Sequence, residues 1–160
     1  MTIPEKLPLT DKATELFYQF ARTEYALKAA GFYCPNQVVA KADWRRFAES
    51  SEIVVMFETP KTRLLADAIQ YIKDNPPKKQ TIVNELLAWS DAKPSTNLDS
   101  DLILIYVRRI RNNLFHGGKF NGHWFAPERS ERLIDAALQI LRSCRKASTE
   151  VGRAYRDGSG

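Results

Sequence analysis

The segment that most constrains this chain is LDSDLILIYVRRIRNNLFHGG, residues 98–118. Its first half is apolar on nearly every side of a helix, so it must lie at the centre of whatever forms. Its second half changes character within a turn. Arg108, Arg109, Arg111, Asn112, Asn113 and His116 crowd the place where the helix has to stop. Gly117-Gly118 is the stop signal, because glycine takes the left-handed C′ conformation without steric penalty. The segment predicts a central helix over 99–116 that ends in cations, amides and an imidazole.

Turn signals divide the remainder into further helices. LTDKATELFYQFARTEYALKAAGF predicts a first helix, capped by Thr10 or Asp11 and ended at Gly31. ADWRRFAESSEIVVMFE predicts one second helix with Asp43 as N-cap. TPKTRLLADAIQYIKDNPP predicts a third, with Thr59 capping and Pro60 in the first turn. KKQTIVNELLAWSDAKPSTN reads as a short helix between loops, and KFNGHWFAP as a loop or small hairpin around Asn121-Gly122. PERSERLIDAALQILRSCRKAS predicts the last long helix, with Pro127 near its start. The expected fold is all-α, a compact antiparallel bundle of four to five main helices. Residues 1–150 form one domain in this reading, and residues 151–160 a flexible C-terminal tail.

Composition excludes several classes. With 44% hydrophobic and 27% charged residues the chain matches a globular protein. No apolar run approaches the roughly 20 residues of a membrane-spanning helix, so no membrane partner is expected. MTIPEKLPLTDK lacks a basic start followed by an apolar block, which points to the cytoplasm. Cys34 and Cys144 have no metal-ligand spacing and read as reduced thiols. The net charge of +5 is localised: residues 1–100 hold 13 Lys+Arg and 13 Asp+Glu, residues 101–160 hold 11 and 6. A local basic excess suits a polyanion, or is a solvated basic surface. Without a glycine-rich phosphate loop, HExxH or a cysteine–histidine ligand set, no metal or cofactor is expected.

Two residue patterns carry chemistry. At the end of the central helix, Arg111 offers a fixed fork for phosphate and His116 titrates near neutrality. Asn112 adds an amide able to orient the histidine or hold an oxygen. These are the parts of a metal-free phosphodiester-cleaving site. They equally suit a helix C-terminus, whose negative dipole end favours cations. Residues five apart on a helix point about 140° apart, so Arg111 and His116 meet only if the helix turns at His116 or a second copy supplies the partner. In the first helix, Ala13, Leu16, Phe17, Phe20 and Leu27 form an apolar stripe, and Glu24 falls inside it. A carboxylate there needs a partner from another helix, and Arg111 is the first candidate. The alternatives are that Glu24 reaches water or pairs elsewhere. Arg108, Arg109 and Lys119 either contact RNA backbone or are solvated charges. His123 is either a second acid–base group or incidental. Tyr25, Tyr33, Trp44 and Trp89 read as packing aromatics.

RNNLFHGG, Arg111 to Gly118, resembles the R-N-x-x-x-H signature of the HEPN superfamily, compact helical domains in which the motif ends a long helix. FARTEYALKAAGF, Phe20 to Phe32, is similar to the first helix of one prokaryotic branch, with Glu24 at its acidic position. The resemblance implies a metal-independent endoribonuclease. In it His116 acts in acid–base chemistry on the ribose 2′-hydroxyl, Arg111 stabilises phosphate charge in the transition state, and Asn112 is the polar residue after the arginine. It also implies a homodimer with a composite active site, and a toxin or phage-defence role with an antitoxin or regulatory partner. Some members carry a modifiable tyrosine two residues after the histidine. This chain has Gly118 there, so that control is not expected. The competing reading is a non-catalytic RNA- or protein-binding module of the same fold.

Overall fold

The computed structural model describes residues 9–115, 119–120, 123–124 and 127–158. His116 lies outside the described residues, and only the backbone of Lys119 and His123 is described. Eleven elements follow in order among the described residues: α1 (Leu9–Ala29), α2 (Trp44–Glu49), α3 (Ser51–Glu58), α4 (Arg63–Asp74), β1 (Lys79–Val83), β2 (Leu86–Ser90), α5 (Asp99–Phe115), β3 (Lys119–Phe120), β4 (His123–Trp124), α6 (Pro127–Ala147) and α7 (Thr149–Asp157). The described residues are mostly helical, with two small two-stranded antiparallel sheets. No helix among the described residues is long and apolar enough to cross a membrane.

The core forms where the apolar stripes of α1, α4 and α6 meet α5. Leu16, Phe20 and Leu27 of α1, Ile72 of α4, Ile103, Leu104 and Val107 of α5, and Ile134, Ile140 and Leu141 of α6 are all fully buried. As the sequence predicts, α5 is the interior element: Leu102, Ile103, Leu104, Tyr106, Val107 and Ile110 are buried on successive turns. Ser100 Oγ ties its first turn to the Ala48 carbonyl at 2.7 Å. Helix α6 spans α1, α3, α4 and α7, and its N-terminal half is held to α1 by Lys12, whose ammonium lies 2.9 Å from Glu131 and 3.0 Å from Asp135. Burial pulls the Lys12 pKa down, but hydrogen bonds to the two carboxylates outweigh it and leave the value raised.

The structure departs from the sequence expectations at five places. The segment after α4 is a hairpin, not a short helix. β1 pairs antiparallel with β2, Val83 opposite Leu86, around Asn84 and Glu85. Both turn residues have positive φ, 50° and 63°, which is the twist a two-residue hairpin loop requires. The stretch 44–58 is two helices. Ser50 is extended between them (φ −65°, ψ 145°), and its hydroxyl donates to the Phe47 carbonyl at 2.6 Å. Asp43 does cap α2, accepting from the Arg46 amide at 3.0 Å. The cap of α4 is Thr62, not Thr59, because Thr62 Oγ1 accepts from Leu65 N. Finally, residues 151–157 belong to α7 instead of a tail. Ser148 caps that helix, and Val151 is buried against the core. Gly152 makes the docking possible, since a Cβ there would lie 2.4 Å from the Arg145 carbonyl oxygen. At the other end, α1 is already helical at Leu9, so Thr10 and Asp11 lie inside its first turn.

Candidate functional site

Helical spacing sorts the polar end of α5 onto two faces. Around the axis the residues follow one another as Arg111, Arg108, Asn112, Arg109 and Asn113 over about 200°: the arginine face, Arg111 and Arg108, begins the arc, the amide-bearing face, Arg109 and Asn113, ends it, and Asn112 lies between. The arginine face packs towards α1 and α2. The amide-bearing face is turned to the β1–β2 hairpin.

On the arginine face, Phe20 of α1 stacks on Trp44 of α2, ring centroids 5.3 Å apart, and Trp44 meets Phe47 edge-on at 6.3 Å. Both arginines lie on this aromatic layer. The Arg111 guanidinium carbon is 4.5 Å from the Phe20 centroid, and that of Arg108 is 5.8 Å from the Trp44 centroid. Glu24, one turn beyond Phe20, extends its carboxylate between them. Trp44 Nε1 donates to Glu24 Oε1 at 3.1 Å, and Arg111 Nη2 lies 4.0 Å from the same oxygen. The pairing of Glu24 with Arg111, the first candidate of the sequence, is present, and Glu24 also reaches water and accepts from Trp44. The pair is loose: both side chains keep about a third of their surface in solvent, at 34% and 30%. An ion pair this exposed contributes at most about 1 kcal/mol. Arg111 Nε is buried and finds no hydrogen-bond partner among the described residues.

Arg108 behaves differently. Its Nε donates to the Leu104 carbonyl at 3.2 Å, one turn back. Burial holds its pKa below the ordinary arginine value; Asp101 and Glu24 oppose that shift and Arg111 adds to it. Arg108 therefore presents only part of its guanidinium to an outside partner.

The amide-bearing face holds the hairpin. Asn113 Nδ2 donates to the Lys78 carbonyl at 2.8 Å, and Arg109 Nη1 to the Ala92 carbonyl at 3.4 Å, so α5 grips both legs of the β1–β2 unit. Asn112 is exposed and lines a cleft of about 350 Å³ between α5 and β1, with Lys79, Gln80, Ile105, Arg108, Arg109 and Asn113. The structure thus brings Glu24 and Arg111 together but sets Asn112 between the two faces of α5. His116 lies outside the described residues, one position beyond the last residue of α5. The roles expected of Lys119 and His123 rest on side chains that also lie outside them. Trp44, read as a packing aromatic, is the site residue that sequence reasoning missed. Its signal was its place beside Asp43, the helix cap, which fixes the indole at the start of α2.

No family model matches this chain, no curated protein matches it, and no solved structure matches it.

Proposed function

We propose that this protein is a metal-independent endoribonuclease of the HEPN type, cytoplasmic, acting as a toxin or phage-defence effector. The observation that carries the reading is the state of Arg111. Its guanidinium is positioned by an aromatic face and a carboxylate, sits where α5 reaches the surface, and keeps a buried Nε without a hydrogen-bond partner among the described residues. A phosphate oxygen meets the solvent-facing part of this guanidinium, about a third of the side chain, with a charge-assisted bond, while the buried Nε stays on the protein side. Glu24, itself held by Trp44, is the positioning residue.

In this reading His116 accepts the proton of a ribose 2′-hydroxyl. The 2′-oxygen then attacks the adjacent phosphorus, and the bond to the 5′-oxygen breaks as that oxygen gains a proton. The products are a 2′,3′-cyclic phosphate and a 5′-hydroxyl. Arg111 stabilises the charge that grows on the non-bridging oxygens. Two chains, each contributing an Arg111/His116 set, form the composite site, and an antitoxin or regulatory protein restrains it.

The test is cleavage of mixed RNA in excess EDTA by wild type and His116→Ala, read on a denaturing gel. Cutting by wild type alone supports the reading. Binding without cutting by either protein replaces it with the non-catalytic module.

A further inference from the structure

The cleft between α5 and β1 is the strongest feature outside the Arg111 site. Its lining is chemically one-sided. Lys79, Arg108 and Arg109 supply three cations, and Gln80, Asn112 and Asn113 three amides. Ile105 is the one apolar residue, and no carboxylate lines it among the described residues. The walls are fixed by contacts already described: Asn113 pins the incoming leg of the hairpin and Arg109 its outgoing leg. Asn113 donates one amide hydrogen inward to Lys78, whereas Asn112 is exposed in the cleft. Arg108 belongs to both faces of α5, lying over Trp44 on one side and lining the cleft on the other. A chain of cations therefore runs continuously from Lys79 and Arg109, through Arg108, to Arg111.

Resting on the ribonuclease reading above, we infer that the α5–β1 cleft is a subsite for single-stranded RNA flanking the scissile phosphate. Lys79 and Arg109 take a backbone phosphate, and Gln80 and Asn112 meet the edge of one unpaired base. The chemistry selects this ligand. Cations without neighbouring carboxylates attract phosphate, whose contacts position the strand without reading sequence. Side-chain amides, with a donor and an acceptor each, match base edges that only an unpaired nucleotide exposes. A duplex keeps its Watson–Crick edges paired and presents only backbone and the shallow minor groove. The β1–β2 hairpin is thus part of the substrate path, and it gives the cleavage site a preferred side.

The experiment uses the full chain in the His116→Ala background, so that bound RNA stays intact. Fluorescence anisotropy measures its affinity for a short labelled single strand and for a duplex of the same length. Lys79→Glu is compared with Lys61→Glu, which makes the same charge change at a different cleft, lined by residues of α3, α4 and α6. The expected result is a loss of about tenfold in single-strand affinity for Lys79→Glu, against less than about twofold for Lys61→Glu. The slope of log affinity against log salt becomes shallower by about 0.7 for Lys79→Ala, one phosphate contact on a single strand. Gln80→Ala narrows the spread of affinities among the four homopolymers while leaving that slope unchanged.

Equal losses for Lys79→Glu and Lys61→Glu overturn the subsite and leave the ribonuclease reading standing on cleavage by wild type. Duplex bound as tightly as single strand, with the same loss at Lys79, overturns the single-strand assignment. If wild type neither binds nor cuts RNA, the subsite and the ribonuclease reading fall together.

Discussion

Arg111 and Arg145 each reach α1 from a neighbouring helix, and each lays its guanidinium on an aromatic ring, 4.5 Å from the Phe20 centroid and 4.0 Å from that of Tyr155. From there the two regions diverge. Arg145, on α6, donates to Gln19 Oε1 at 3.1 Å and to Thr23 Oγ1 at 3.4 Å; both acceptors are buried and neutral. Thr23 in turn donates to the Gln19 carbonyl at 2.7 Å, and Gln19 to Glu15 at 2.7 Å. Arg22 of α1 also lies over the Tyr155 ring of α7, at 4.4 Å. Burial holds the Arg145 pKa below the ordinary value. Two of its donors are turned into the fold, closing the seam between α1, α6 and α7. Arg111 has a carboxylate at 4.0 Å, an Nε without a partner among the described residues, and an open side. Against the same helix, one arginine clamps a seam and the other keeps a side open, as the proposed ribonuclease site requires of an anion receptor. What separates them is how many donors the fold leaves unused.

Substitutions can break or sharpen this contrast. The largest effect belongs to Arg111→Ala. Cleavage of RNA should fall roughly 100- to 1,000-fold, the cost of removing one preorganised charge donor. The melting temperature should move by only a few degrees, as the loose pair with Glu24 predicts. Arg145→Ala should show the converse. Leaving Gln19 and Thr23 short of a donor costs about 2 kcal/mol, seen as a fall of roughly 5 °C in Tm, with cleavage per folded molecule unchanged. A drop in cleavage without loss of stability in Arg145→Ala would erase the distinction.

Glu24 sharpens it further. Glu24→Gln keeps an acceptor for Trp44 Nε1 and removes the charge facing Arg111; Glu24→Ala removes both. Cleavage about tenfold down in the first and lower still in the other, measured as kcat with KM little changed, fits a positioning residue. Full activity in Glu24→Gln assigns its role to the tryptophan hydrogen bond alone. The smallest effect is chemical. Burial pushes the Cys144 thiol up to about 12, beside Arg145 in the closed seam. At pH 8 a thiol reagent should label half-buried Cys34 first and reach Cys144 only as the seam opens, so Arg145→Ala should speed the slower phase. Prompt labelling of both cysteines in the wild type would contradict a closed seam.

Where the sequence carried its information in periodicity, the fold was legible. Helix α5 announces itself through LILIYV and α6 through Pro127 and its apolar stripe; both stand where the pattern put them. The Glu24–Arg111 contact was legible for a different reason: a carboxylate inside an apolar stripe needs a partner, and Arg111 is the first candidate. The hairpin was hidden because its turn is Asn84-Glu85. Glutamate at positive φ is uncommon, and the usual Asn-Gly signal is absent. Ile82, Leu86 and Trp89, four and three apart, also mimic a helical stripe, yet all three are exposed on the strands. Helix α7 was hidden in the segment read as a tail, and the lack of a side chain at Gly152 is what lets it approach the end of α6. The order of Arg111, Arg108, Asn112, Arg109 and Asn113 around α5 was implicit in helical spacing. It acquires meaning only once the hairpin is known to cover one end of that arc.

Under the ribonuclease proposal, Arg111 holds donors in reserve for an anion and Arg145 does not. This is tested by following the arginine Nε–Hε resonances by NMR while 2′-O-methyl RNA, which lacks the attacking hydroxyl, is added to the protein. The Arg111 resonance should shift and its hydrogen exchange slow as RNA binds, while the Arg145 resonance stays in place. A shift at Arg145, or an Arg111 resonance unmoved at saturating RNA, would contradict it.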